Sequence, residues 1–128
     1  MKSLFRDYWI VLALFAPLAC ASVETVKEGR GNGAKRVYSG GCEIHWKKSV
    51  NAVRNLGLEI LDLDKTRLEI IAKTSASAFS WGERVGVWLY PSQDGKACKV
   101  EVYSRRVGAL NATGENWEPK FFNIYDQD

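Results

Sequence analysis

The sequence predicts an α+β domain: a two-layer sandwich with a mainly antiparallel sheet of about five strands and two amphipathic helices on one face. Three observations lead there. The apolar pattern runs in the order strand, helix, four strands, helix. The two helical stretches each carry a single apolar stripe, and the four central strands follow one another, two pairs of them through short turns and the middle pair through the polar and aromatic stretch Ser77 to Gly82. Consecutive strands joined by tight turns pair antiparallel, and a one-sided helix must bury its stripe against such a sheet.

The chain has 128 residues and opens with a three-part leader. Lys2 and Arg6 are basic, Tyr8 to Leu18 is apolar, and Ala19-Cys20-Ala21 is small. This is the layout of a secretory signal, and the apolar run is shorter than the ~20 residues that a membrane span needs. Two cleavage chemistries compete. Ala19-x-Ala21 suits an ordinary signal peptidase, with Ser22 as the new first residue. Leu18-Ala19-Cys20 resembles the end of a bacterial lipobox, with Cys20 as the lipidated first residue, although Pro17 and Leu18 depart from the usual residues. The expected organisation is a signal segment over 1–21, a flexible tether over 22–35 and one domain over 36–128. The tether is expected because Ser22 to Lys35 is polar and holds three glycines.

Arg36 to Ser39 reads as a short first strand, ended by Gly40-Gly41. Trp46, Val50, Val53 and Gly57 then recur at helical spacing with Leu56 alongside, while Lys47, Lys48, Asn51, Arg54 and Asn55 fill the other side. Gly57 is placed to end that helix in the left-handed conformation. Leu58 to Leu63 and Arg67 to Lys73 are strands around an Asp64-Lys65 turn. Glu83 to Tyr90 and Ala97 to Arg106 are strands around the turn Pro91 to Gly95. Asn116 caps a second helix whose stripe is Trp117, Phe121, Ile124 and Tyr125.

Cys20, Cys42 and Cys98 are the only cysteines. Cys20 leaves the thiol count under either cleavage, so Cys42 and Cys98 are expected to pair in an oxidising compartment. The alternative is two separate buried thiols. No Cys-x-x-Cys spacing occurs, which disfavours zinc and thioredoxin-type chemistry; no metal and no cofactor are expected.

Strand alternation turns Val85, Val87, Leu89, Cys98, Val100 and Val102 toward the helices. The opposite, uncovered face carries Arg84, Trp88 and Tyr90, with Lys99, Glu101, Tyr103 and Arg105 on the next strand. Of these, Arg84, Trp88, Tyr90, Tyr103 and Arg105 are the expected ligand or partner surface, since aromatic rings and guanidinium groups stack on sugars, peptides and protein partners. Cross-strand packing alone also explains such side chains. Phe79-Ser80-Trp81-Gly82 offers a second contact surface or a tuck under the sheet edge.

Catalytic signals are thin. His45, the only histidine, stands near Glu43 and four residues before Ser49, with no orienting acid in the pattern. Asp62 and Asp64 point the same way before a turn. Gly29-x-Gly31-x-Gly33 lacks the strand and helix that a phosphate cradle requires. Asn111-Ala112-Thr113 matches a glycosylation acceptor by chance. Net charge is +3, and losing Lys2, Arg6 and Asp7 with the leader leaves +2, too little to imply nucleic acid.

The stretches HWKKSVNAVRNLGLEI, SWGERVGVWL and CKVEVYSRRVGALNATGENWEPKFF resemble a group of short exported bacterial proteins and predicted lipoproteins without an assigned function. The resemblance rests on Trp46, Trp81 to Glu83, Val100 to Val102 and Asn111 to Trp117, and implies an envelope address and a compact α+β fold. It transfers no catalytic or ligand residue. The expected role is therefore a non-enzymatic binding module, lipid-anchored or periplasmic, whose partner is an envelope protein or cell-wall component. A small periplasmic enzyme using His45 and a structural accessory of an envelope assembly are the alternatives.

Overall fold

A computed structural model describes residues 26–74, 82–106 and 117–127. The stretch expected to be a leader, with Cys20, the Phe79 to Trp81 stretch and the Asn111 to Thr113 motif lie outside the described residues.

Five strands form one antiparallel sheet: β1 (Ala34–Ser39), β2 (Glu59–Asp64), β3 (Glu69–Lys73), β4 (Glu83–Pro91) and β5 (Ala97–Arg106). Their spatial order is β1-β5-β4-β3-β2. The last four follow as a meander. The first strand adds to the far edge beside β5, pairing Tyr38 with Cys98 and Ala34 with Val102. Helices α1 (Cys42–Asn55) and α2 (Trp117–Gln127) pack on one face. This is the α+β sandwich that the sequence predicts.

The core sits between the sheet and the helices. Val85, Val87 and Leu89 of β4, and Cys98, Val100 and Val102 of β5, face Trp46, Val50 and Val53 of α1 and Phe121, Phe122 and Tyr125 of α2. Period-2 strands against period-3.6 helices produce this layer. Phe122 joins the predicted stripe of α2 as a further buried ring. Helix α1 ends at Asn55 with Leu56 as its C-cap, and the chain turns through Gly57, whose φ of 75° is a conformation that favours glycine.

Cys42, the first residue of α1, and Cys98 on β5 have Cα atoms 5.0 Å apart and their sulfurs are bonded. This bridge ties the start of the helix layer to the beginning of β5, the strand beside the β1 edge of the sheet.

The other face of the sheet is covered in part, which corrects two expectations. Residues 26–33 do not behave as a tether. A helical turn at 26–28 and the turns after it lie across the sheet, and residues 34 and 35 already belong to β1. Val26 is buried with Ile71 and Trp88 in a second, smaller cluster that Tyr90 and Tyr103 flank. The physical reason is close approach: a β-carbon on Gly29 would collide with the Tyr103 ring, and one on Gly33 with the Val102 carbonyl. The glycines that suggested flexibility let this strap lie flat.

Candidate functional site

The strap decides what the predicted surface can do. Trp88 is fully buried, so it offers nothing to a ligand in this arrangement, and Tyr90 and Tyr103 are half-buried. The expected open aromatic face is therefore absent around Trp88. Its indole folds back over Gly86, where only a missing side chain leaves room.

Glu101, directly opposite Trp88 on β5, fixes the strap. Its carboxylate is fully buried and accepts the backbone N–H of Gly31 at 2.7 Å and of Gly33 at 2.9 Å. It also accepts the Tyr90 hydroxyl at 2.6 Å, and the Lys35 ammonium stands 3.7 Å away. A buried carboxylate needs such donors, and two N–H groups converging from a glycine turn supply them. Burial first, then the bond to Glu101, raises the Tyr90 phenol above its ordinary pKa. The Arg30 guanidinium donates to the Tyr90 hydroxyl at 3.1 Å and lies 5.1 Å from the ring centre, with the Lys99 ammonium 4.9 Å away. Strand alternation placed Glu101 on this face, but nothing local indicated that a segment 70 residues earlier would bond to it.

Arg84 and Arg105 keep clear of the strap's hydrogen bonds. They are directly opposed across β4 and β5, and Lys73 of β3 is directly opposed to Arg84 on its other side. The predicted surface thus divides into a covered aromatic half and a row of cations. Lys73 was missed because positions 74–82 separate β3 from β4, a connection longer than the tight turns whose length fixes register.

His45 is not a surface residue. It is buried, with Nδ1 bonded to the Tyr125 hydroxyl and Nε2 2.8 Å from the Ser39 carbonyl. A carbonyl only accepts, so Nε2 carries a proton and Tyr125 donates to Nδ1 when the ring is neutral. Both ring nitrogens are thereby engaged, and neither faces a substrate in this arrangement. Burial foremost pushes the Tyr125 phenol up, and the Ser49 hydroxyl works against that rise. Beside it the Tyr38 hydroxyl donates to Asp126 at 2.8 Å, and Arg36 pairs with the same carboxylate at 2.5 Å. Burial and then the Asp126 contact push the Tyr38 phenol up to about 12. This cluster joins β1, α1 and α2.

Asp62 and Asp64 do not share a site: Asp62 stands 3.9 Å from Lys27, and Asp64 accepts the Arg67 N–H at 3.1 Å. A shallow depression of about 300 Å³ between α1 and β2 is lined by Trp46, Lys47, Val50, Asn51, Arg54 and Leu63. Among the described residues no group of three or more His, Cys, Asp or Glu side chains is arranged to hold a metal, and no helix is long and apolar enough to cross a membrane.

No family model matches this chain, and no curated protein matches it. Among solved structures, a chain of the crystal structure of the adenylate sensor from AMP-activated protein kinase complexed with ATP superposes with a TM-score of 0.50. The match covers 70% of this chain and 92% of that one, at 9% identity. At that identity the likeness is one of fold alone.

Proposed function

We propose that this chain is an exported envelope protein, carried by a lipid on Cys20 or free in the periplasm, that works as a non-enzymatic interaction module for a protein or cell-wall component. The observation that carries the reading is the Cys42–Cys98 bridge, which closes a separation of 56 residues. Such bridges persist in oxidising compartments and are rare in reducing ones. The leader supports the same address, with its basic start, apolar run and small residues before Ser22. The open part of the interaction surface is the cation row with Arg84 and Arg105, because the aromatic part is under the strap. The ATP of the adenylate sensor does not enter this reading, since fold likeness does not carry a ligand.

The test is fractionation of cells that make the native chain, followed by intact mass and peptide mapping without reductant. A diacylated Cys20 or a product starting at Ser22, with Cys42 and Cys98 in one linked peptide, is the expected result. An intact chain starting at Met1 in the cytosol with free thiols overturns the reading.

A further inference from the structure

The structure assigns a phosphate-binding site to the Lys73, Arg84 and Arg105 row on the strap face of the sheet. Strand register sets four charged residues side by side across four strands: Glu59 opposite Lys73, Lys73 opposite Arg84, and Arg84 opposite Arg105. Side chains directly opposed in an antiparallel sheet stand about 5 Å apart at Cβ, and like charges so placed repel. Only one end of the row is neutralised, by Glu59 at 3.5 Å from the Lys73 ammonium. Among the described residues no carboxylate pairs with Arg84 or Arg105. Arg84 Nε is moreover buried without a hydrogen-bond acceptor, at the centre of the row.

The rest of this face does not share that condition. Lys27 is held by Asp62 and Glu69, Lys35 by Glu101, and Arg30 and Lys99 lie against the Tyr90 ring. Among the described residues, an unfilled donor and two unpaired guanidinium groups occur together only in this row. Arg105 is exposed and Arg84 partly so, which leaves the row open to an incoming group.

Three cations set against one carboxylate leave two positive charges, which the roughly two negative charges of a phosphate monoester near neutral pH would balance. A guanidinium fork meets two oxygens of one anion at once, and two adjacent forks suit a group that presents several oxygens. A carboxylate brings one charge and two oxygens and leaves the row half neutralised. The same phosphate chemistry occurs in solution and on a lipid headgroup.

The experiment titrates the purified chain with inorganic phosphate at constant ionic strength. It follows the arginine Nε–H resonances and the thermal midpoint, and repeats both with Arg84→Gln, Arg105→Gln and Lys99→Gln. Saturable movement of the Arg84 Nε–H signal is expected, with affinity weakened ~10-fold or more by Arg84→Gln or Arg105→Gln and unchanged by Lys99→Gln. In phosphate-free buffer Arg84→Gln should melt above the parent, because repulsion in the row is relieved. If Arg84→Gln does not fold, Arg105→Gln, at an exposed position, gives the same readout. A resonance that responds no more to phosphate than to equal chloride overturns the site, as does equal loss in Lys99→Gln. Flotation with vesicles containing phosphatidic acid, whose headgroup is a phosphate monoester, but not with phosphatidylcholine alone, lost in Arg84→Gln, identifies a lipid headgroup as the source; phosphate binding without flotation identifies a soluble one. The titration reads the row wherever the chain resides, so it can fail while the envelope address stands, and the reverse.

Discussion

The Trp88 indole lies over Gly86 on the same strand, in the space that any side chain at that position would fill. Trp88 is fully buried there, with Val26 and Ile71 against it. A residue that reads as an exposed binding aromatic is instead the centre of a small second core, and the glycine two places before it is what makes the position available.

Gly86→Ala should therefore destabilise the protein by about 1–3 kcal/mol, the usual cost of forcing atoms into a filled space. Thermal or denaturant unfolding measures the loss. Tryptophan emission should shift to the red as Trp88 is pushed outward. A variant of parental stability shows that the ring does not depend on this gap.

Glu101→Ala should free the strap. The N–H groups of Gly31 and Gly33 and the Tyr90 hydroxyl lose their common acceptor, and a stranded buried donor costs about 1–3 kcal/mol. Hydrogen exchange at Gly31 and Gly33 should accelerate by orders of magnitude more than in α1. Glu101→Gln keeps one accepting oxygen and should fall between the two.

Reducing the Cys42–Cys98 bridge, or replacing both cysteines by alanine, should lower stability by up to about 4 kcal/mol on the chain-entropy account for a loop of this size. Denaturant titration with and without reductant is the check. The core around Val100 and Phe121 should survive at low denaturant, because it is contributed by other residues.

Alkaline pH should loosen the contact between β1 and the helices. Tyr38 titrates at about 12 in the folded chain against about 10 when unfolded, and Tyr125 is raised as well. A folded pKa above the unfolded one adds stability that is complete below about 10 and is lost as pH climbs through the folded value. Phenolate absorbance should show Tyr38, Tyr90 and Tyr125 titrating late, with unfolding following as they ionise. Tyr38→Phe should remove part of this dependence.

The architecture was legible because it is written in local periodicity. Alternation in Val85, Val87 and Leu89, the helical stripe through Trp46, Val50 and Val53, and the turn at Pro91 to Gly95 each fix a backbone type within a few residues. β5 was read to its ends. The helix-facing residues of β4 and β5 followed from the same alternation. The candidate site was legible in part: alternation put Arg84, Trp88, Tyr90, Tyr103 and Arg105 on one face, as found. Which of them solvent reaches was not, since that depends on a segment from the far end of the chain. The burial of His45 was not legible for a similar reason. It stands on a helix of mixed polarity, and only the packing of α2 brings Tyr125 to its ring.

The sequence by itself determined the elements, their order, the faces of the strands and the cysteine count available for a bridge, because each depends on neighbours a few residues away. Tertiary structure decided the strap over Trp88, the donors around Glu101 and the alignment of Lys73 with Arg84 and Arg105. The strap contacts join residues about 70 positions apart, and Lys73 meets Arg84 across a connection between β3 and β4 that is longer than the tight turns whose geometry fixes register.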